Sequence, residues 1–258
     1  MRQNLIDLAN NPNFISGIYN YCDRWCERCP FTSRCMVYAT EKEDDDGDSQ
    51  TRDITNEKFW RKLASIFEET KQMMVAWAEK EGIDLNKEES SNEWKKKKSR
   101  TGKDELAVSA KRYANNVTSW FTAFDRVINA SDQPPSEVDG NEVDEIEEAR
   151  EIIHWYQYQI AVKLMRAISS RGNEAEWADE MVDVEARDSD GSAKVALIGI
   201  GRSISAWRLM QMALTERSES IVPLILDLEK LRQKTEMKFP KARDFIRPGF
   251  DEVVGDAN

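Results

Sequence analysis

The sequence has little of what many catalytic and membrane proteins need. It contains one histidine in 258 residues, too few for a symmetric di-iron site built from two Glu-x-x-His units. No stretch of about 18 apolar residues is present that could form a membrane-spanning helix. The first residues also lack the uninterrupted apolar run of a secretory signal peptide. We therefore expect a soluble, cytoplasmic protein without a membrane partner.

Basic residues are outnumbered as well. The chain has 48 acidic and 37 basic side chains, a formal charge of -11, which opposes loose association with nucleic acid. Its one concentrated basic patch, KKKK at residues 95–98, is typical of a solvated helix end or loop. The run GIGRS at residues 199–203 lacks the preceding strand and the spacing of a phosphate-binding loop. We expect no nucleic-acid partner, whereas a protein partner or a homo-oligomer stays open.

Cysteine is absent except in one short segment, YCDRWCERCPFTSRC at residues 21–35, which holds all four. In a reducing cytosol, four clustered thiols are more typical of metal ligands than of disulfides. Cys22, Cys26 and Cys29 are spaced so that a helix would present them on one face. The proline that follows would end this helix, and the turn FTSR would bring back Cys35. The pattern predicts a short N-terminal helix that carries a four-cysteine metal site.

A zinc ion and an iron–sulfur cluster both accept four thiolates. The spacing of the cysteines is therefore the feature that can distinguish between them. Structural zinc sites commonly use two Cys-x2-Cys pairs on separate turns, whereas this segment has one such pair and a further cysteine on either side. A four-iron cluster is larger than one ion and tolerates unequal gaps. We interpret Cys22, Cys26, Cys29 and Cys35 as ligands of a [4Fe-4S] cluster in a redox or sensing role. The alternatives are a zinc-stapled interaction or scaffold protein without catalysis, and thiols that bind no metal.

The run CERCPFTSRC resembles the C-x2-C-P-[Phe/Tyr]-x3-C iron–sulfur clasp of the RecB-type exonucleases, including those associated with CRISPR systems. This resemblance implies a cluster but no nuclease activity. In those enzymes the first cysteine lies far upstream, and the clasp follows a core of strands with paired carboxylates and a lysine, which this sequence lacks. C-x3-C-x2-C also resembles the radical S-adenosylmethionine enzymes, but their barrel is absent here and a fourth cysteine would close the iron position that they leave open.

Three longer segments are similar to those of a family of bacterial helical proteins of unassigned activity: YCDRWCERCPFTSRC, EIIHWYQYQIAVKLMRA and DSDGSAKVALIGIGRSISAW. This similarity implies a helical fold and brings no activity with it. Whether the chain is an enzyme therefore stays open at this point.

Most of the remaining chain has the apolar periodicity of amphipathic helices and no alternating pattern of strands. The sequence predicts an all-α helical bundle of about five main helices. Asp190 or Ser192 is expected to cap the fourth of them, and its small residues, such as Gly199 and Gly201, would let a neighbouring helix come close. The predicted helices span residues 55–80, 104–129, 142–170, 193–214 and 220–238, with a short additional helix over 174–184.

The composition divides the chain into four parts. Residues 1–40 are predicted to form a cysteine-bearing segment docked on the bundle. Residues 41–54 are strongly charged and poor in apolar side chains, which indicates an exposed acidic linker. The bundle is predicted to span residues 55–240, followed by a C-terminal tail over residues 241–258.

The single histidine suggests a second metal site. Glu147, Glu151 and His154 share one face of the third predicted helix with Tyr158, and Glu151-x-x-His154 has the spacing found in ferritin-like di-iron carboxylate oxidases. Further ligands would come from other helices, with Glu68, Glu69, Asp183 and Glu185 as candidates. Alternatively, His154 makes a hydrogen bond at a helix interface and the two glutamates face water or pair with arginine. Arg202 would be the natural partner of Glu151, because a charge on an apolar helix must be paired.

Overall fold

The structure is a computed structural model that describes residues 11–43, 47–82, 101–130, 140–171 and 179–251. No strand occurs in these ranges, so the prediction of an all-α helical bundle is confirmed. None of the described helices is long and apolar enough to cross a lipid bilayer. The longer helices are α1 (Met36–Glu43), α2 (Glu57–Glu81), α3 (Glu105–Ala130), α4 (Gly140–Arg171), α5 (Asp179–Ala213) and α6 (Ser218–Lys238).

Helices α3 to α6 pack around one apolar core. α4 lies along α5 over the longest interface, and α6 packs against both α5 and α3. Tyr113, Tyr156 and Trp207 are the largest fully buried side chains of this core. The Trp207 indole donates a hydrogen bond to the Tyr113 hydroxyl at 3.0 Å, so neither polar atom is left unpaired inside the core. This four-helix bundle supports the cysteine segment and the C-terminal residues that pack on its surface.

Glycine permits the closest approaches to α5. A Cβ atom added to Gly199 would lie 2.7 Å from the Tyr156 ring, so a larger residue would push α4 away. At Gly191 an added Cβ would lie 2.4 Å from the ring of Tyr21, which docks the N-terminal segment against this helix. The predicted role of small residues is therefore confirmed at Gly199. It is wrong at Gly201, where an added Cβ would meet nothing within 4 Å.

The N-terminal half of α5 differs from the prediction. Residues 179–213 form one continuous helix, so Asp190 and Ser192 do not cap its start, and the described part of the predicted short helix over 174–184 belongs to α5. The sequence DSDGS favours a helix end locally. Tertiary contacts override this preference, because Ser189 and Ser192 are buried and the Asp188 carboxylate accepts a hydrogen bond from Arg166 on α4 at 2.5 Å.

α2 is a well-defined helix that contributes nothing to the core cluster among the described residues. The Asn56 side chain caps its first turn by accepting a hydrogen bond from the Lys58 amide at 3.0 Å. Gly82 ends it in the left-handed conformation, with φ of 69°, which suits glycine. Its main tertiary neighbour in the described structure is the 3-10 turn Ser49–Thr51. The four-helix core therefore forms without α2.

Replacing Trp207 tests the core. Trp207→Ala should lower the free energy of unfolding by about 3–5 kcal/mol, because it leaves a large cavity and removes the partner of the buried Tyr113 hydroxyl. Met212→Ala is the matched control on the same helix, since Met212 is 74% exposed and should change stability by no more than about 0.5 kcal/mol. Urea denaturation of both variants measures the difference, and equal losses would contradict this core.

Candidate metal centre

The cysteine segment folds as a series of tight turns rather than as an α-helix. Short 3-10 turns span Ile18–Asn20, Cys26–Arg28 and Thr32–Arg34. Between the first two, Arg24 has a φ of 59°, a left-handed conformation that a right-handed helix cannot contain. The Asp23 side chain also accepts a hydrogen bond from the Trp25 amide at 3.2 Å, which competes with helical pairing. The prediction of a short helix with three cysteines on one face is therefore wrong.

The turns nevertheless bring all four cysteines to one place. Cys22, Cys26, Cys29 and Cys35 border the same small cavity, and all four are half-buried free thiols. Two of them follow directly on 3-10 turns: the Cys29 amide donates to the Cys26 carbonyl at 3.2 Å, and the Cys35 amide to that of Thr32 at 3.3 Å. Apolar and aromatic side chains complete the wall of the cavity: Ile18, Tyr19, Trp25, Tyr38 and Phe250.

Burial and nearby positive charges act in opposite directions on the charge of the cysteine thiols. Burial raises the pKa of the Cys22 thiol, while its contact with the Arg24 backbone and the nearby Lys163 charge lower it in part. Burial likewise raises the pKa of Cys26, and Arg24 opposes this change. These thiols therefore stay protonated at neutral pH until a metal ion displaces the protons. The Phe31 amide donates a hydrogen bond to the Cys29 sulfur at 3.4 Å, and such a bond stabilises a thiolate further.

One carboxylate fixes the cysteine segment to the bundle. The Asp23 carboxylate accepts hydrogen bonds from the Tyr156 hydroxyl on α4 and from the Arg202 guanidinium on α5, the latter at 2.8 Å. Its backbone carbonyl accepts a further hydrogen bond from the Trp155 indole at 3.0 Å. Trp25 stacks on Trp155 with 4.9 Å between ring centroids. We refer to Asp23, Tyr156, Arg202 and Trp155 as the Asp23 anchor.

Arg202 is thus paired with Asp23, and the prediction that it pairs with Glu151 is wrong. Glu151 instead accepts a 2.5 Å hydrogen bond from Arg28, which lies in the cysteine segment. The guanidinium of Arg28 also lies 4.2 Å from the Trp25 ring. The sequence indicated that Arg202 needs a carboxylate partner, but Asp23 lies 179 residues away from it. Only the docking of the N-terminal segment reveals which carboxylate that is.

A second group of contacts holds the residues just before Cys22. The Tyr21 hydroxyl donates to the Asp188 carboxylate at 3.2 Å. Arg166 donates to the same carboxylate and also, at 3.3 Å, to the backbone carbonyl of Asn20. Lys163 donates to this carbonyl as well, at 3.3 Å. The two cations of α4 therefore position the chain that leads into the cysteine turns.

The C-terminal part of the described chain also contributes to the cavity wall. Phe250 borders the cavity and makes an edge-to-face contact with Phe31, at 5.0 Å between ring centroids. The next residue, Asp251, pairs with Lys194 at 2.8 Å and with Arg247 at 2.9 Å. Burial alone would raise the pKa of Asp251, but the hydrogen bonds from Arg247 and Lys194 outweigh it and hold this pKa well below its usual value.

The residues of the predicted second site also lie together in part. Glu147, Glu151 and His154 border a shallow groove with Trp25, Arg150 and Trp155. The imidazole of His154 packs against the Phe121 ring at 4.2 Å, and burial and the charge of Arg150 lower its pKa. Tyr158 is exposed and its hydroxyl lies 3.0 Å from that of Thr118. Of the further candidates, Glu68 and Glu69 lie on α2, and the side chains of Asp183 and Glu185 are outside the described residues.

Within the described ranges, no group of three or more His, Cys, Asp or Glu side chains is arranged to hold a metal ion. The four thiols therefore border a common cavity without forming a preformed single-ion site. Comparisons with protein-family models, with curated proteins and with solved structures give no match. The assignment of this site consequently depends on its own geometry and chemistry.

Sequence reasoning missed the residues that build the surroundings of the cysteines. Asp23 stands between two cysteines and two residues before Trp25, but the helical spacing places it off the predicted cysteine face, so it carried no clear signal of a partner. Lys163 did carry such a signal, because it lies on the apolar side of a long predicted helix and is almost fully buried. Phe250 carried none, since nothing in the sequence relates the last residues to the first.

Removing the Asp23 carboxylate should loosen the cysteine segment. Asp23→Ala leaves the Tyr156 hydroxyl and the Arg202 guanidinium without their shared acceptor, which should cost about 1–3 kcal/mol. Amide hydrogen exchange over residues 18–35 should become faster. Glu41→Ala is the control, because the Glu41–Arg24 pair is exposed and such pairs contribute about 1 kcal/mol or less. Equal exchange rates in the two variants would contradict the role of the anchor.

The Asp251 ion pairs predict a specific dependence of stability on pH. A carboxyl whose pKa is lowered by folding stabilises the protein above its unfolded pKa of about 3.9, and this contribution is lost as the pH falls through the lower folded pKa. Asp251→Asn should therefore lower the melting temperature at neutral pH. The difference in melting temperature between this variant and the wild type should become smaller as the pH falls below about 4.

Thermal unfolding at a series of pH values measures this gap. Asp244→Asn is the control, because Asp244 is an exposed residue of the same segment and its replacement should have little effect at any pH. A gap that stays constant or widens in acid would contradict the stabilising role of the Asp251 pairs.

Proposed function

We propose that Cys22, Cys26, Cys29 and Cys35 hold a [4Fe-4S] cluster and that the protein acts in electron transfer or redox sensing. The observation that carries this proposal is that all four cysteines of the chain border one cavity. Thiolates are the usual ligands of iron–sulfur clusters, and four of them would complete the coordination of four irons. A fully coordinated cluster supplies one-electron chemistry and leaves no iron open to a substrate.

The surroundings of the cavity support a redox role. The charge near a cluster, hydrogen bonds to its sulfurs and its exposure to solvent set its reduction potential. Here the cations Arg24 and Lys163 act on Cys22, and the Phe31 amide donates to the Cys29 sulfur. Both effects favour the more negative, reduced state. Trp25 and Phe250 line the cavity and shield it partly from water.

Two stacked tryptophans support electron transfer to the surface. Trp25 borders both the cysteine cavity and the groove at His154, and it stacks on Trp155, which borders the same groove. An electron that leaves the cluster for an external acceptor at this groove would pass the aromatic pair. The rings shorten the gap between donor and acceptor and need not be oxidised themselves.

The geometry gives less support to the two alternative functions, a zinc-stapled scaffold and a di-iron carboxylate oxidase. A zinc-stapled scaffold requires four sulfurs at about 2.3 Å from one ion, and the segment has one Cys-x2-Cys pair instead of the two that such sites commonly use. A di-iron carboxylate oxidase requires free ligands, whereas Glu151 is paired with Arg28 and His154 packs on Phe121. Zinc therefore remains the alternative that the experiment must separate from the cluster.

Anaerobic purification followed by metal analysis tests the proposal. The wild-type protein should contain about four iron atoms and four sulfides per chain, with a broad visible absorption band that dithionite bleaches. Cys26→Ser should lose most of the iron and the band, because one of the four thiolates is missing. Tyr38→Phe is the control at the border of the same cavity, since it removes no sulfur and should retain both.

A colourless protein with one zinc ion per chain under these conditions would overturn the cluster and favour the scaffold. Equal iron content in Cys26→Ser and in the wild type would also contradict it, because iron would then be held elsewhere. Reconstitution of the apoprotein with iron and sulfide under argon provides the same comparison if the cluster is lost during purification.

A further inference from the structure

Lys163 of α4 places a positive charge inside the protein. The residue is only 8% exposed, and its ammonium group donates a hydrogen bond to the backbone carbonyl of Asn20 at 3.3 Å. In the part of the chain that the structure describes, it forms no ion pair with a carboxylate. A buried charge without an opposite charge is costly, so Lys163 requires an anion close by.

The carboxylates of this region have other partners. Asp23 is paired with Arg202 at 2.8 Å, and Asp188 is paired with Arg166 at 2.5 Å. Arg166 donates to the same backbone carbonyl as Lys163, but its own charge is balanced by a carboxylate. Of the two cations that hold this carbonyl, only Lys163 lacks a counter-charge among the described carboxylates.

The Cys22 sulfur lies at the same end of the first 3-10 turn as the Lys163 ammonium. This turn spans Ile18–Asn20, and the last carbonyls of a helical turn point out of its C-terminal end. The Cys22 sulfur contacts the carbonyl of Tyr19 at 3.5 Å, and Lys163 donates to the carbonyl of the next residue. A cysteine of the proposed metal centre is therefore the group that can supply the missing anion.

The charges around Lys163 agree with this placement. Burial lowers the pKa of Lys163, and among the neighbouring charges Cys22 opposes burial most strongly. Asp23 acts in the same direction as Cys22 to a smaller extent, whereas Arg166 and Arg24 lower this pKa further. The interaction that favours the ammonium form of Lys163 most is therefore the one with Cys22.

A metal bound by the four cysteines would form an anionic centre. The thiolate is the form of cysteine that binds metal. Four thiolates outweigh the double positive charge of a zinc ion or of an oxidised four-iron core. The filled cavity would therefore provide the negative charge that Lys163 lacks in the described structure.

We propose that Lys163 is the counter-ion of the metal–thiolate centre, and that its charge favours metal binding and the reduced state of a cluster. The inference rests on the proposed metal centre but not on which metal the cysteines hold. A fixed positive charge stabilises the more negative of two states of its neighbour. Lys163 therefore raises the reduction potential of a cluster and increases the affinity of the cysteines for either metal.

This role predicts different effects on the empty and on the filled protein. Without the metal, Lys163 is a buried charge that an apolar residue of similar length replaces at no cost. The Asn20 carbonyl keeps a donor in that variant, because Arg166 also bonds to it. The melting temperature of the chelator-treated apoprotein should therefore be unchanged or higher in Lys163→Met.

Redox titration of the anaerobically purified protein against a dye of known potential tests the filled site. Lys163→Met should shift the equilibrium about tenfold toward the oxidised cluster, which is about 59 mV for a one-electron couple. Lys163→Gln should give the same shift, because glutamine can donate to the Asn20 carbonyl but has no charge. Lys163→Arg keeps the charge and should retain the wild-type potential. Lys111→Met is the control, since Lys111 is exposed on α3 and its charge is screened by water and salt.

If the chain holds zinc, the proposed cluster fails while the same variants still test the counter-ion. In competition with a chromogenic chelator, Lys163→Met and Lys163→Gln should then bind zinc about tenfold more weakly than the wild type. Equal potentials or zinc affinities in Lys163→Met and the wild type would overturn the inference. A Lys163→Gln variant that behaves like the wild type, or a Lys163→Met apoprotein that melts at a lower temperature, would also overturn it. A wild type that binds neither metal would overturn both proposals.

Discussion

The Asp23 carboxylate joins the cysteine segment to the helical bundle. It joins a turn between two cysteines to Tyr156 on α4 and Arg202 on α5. A carboxylate in this partly buried position needs such partners. Tyr156 and Arg202 supply them from two neighbouring helices, which approach each other closely at Gly199.

The cysteine site combines a rigid support with irregular turns. An α-helix would project its thiols outward along one face, whereas the turns around Arg24 wrap the chain around a cavity. The last described residues complete the enclosure, because Phe250 lines the cavity and Asp251 ties its neighbour to α5. Metal binding to such a site would be coupled to the folding of the cysteine segment and of the residues around Phe250, since ligands from an unsupported segment would not stay together.

The sequence predicted best what depends on burial along a helix. The apolar stripes of α3, α4 and α6 indicated bounds within about two residues, because each stripe covers one core-facing side. The start of α5 was missed since Asp188 has a tertiary partner, Arg166, in place of a capping role. The turns at Arg24 were missed for a similar reason. Helical spacing indicated the convergence of the thiols, but Asp23 and its distant partners determine the backbone path that achieves it.

Native mass spectrometry of the anaerobically purified protein tests the central claim most directly, because it weighs the intact chain together with whatever the cysteines hold. We expect a mass equal to the polypeptide plus one cluster of four irons and four sulfides per chain. We also expect the added mass to be lost when Cys22, Cys26, Cys29 and Cys35 are replaced together by serine. A chain that carries a single zinc ion, or no added mass even after anaerobic reconstitution, would contradict the proposed cluster.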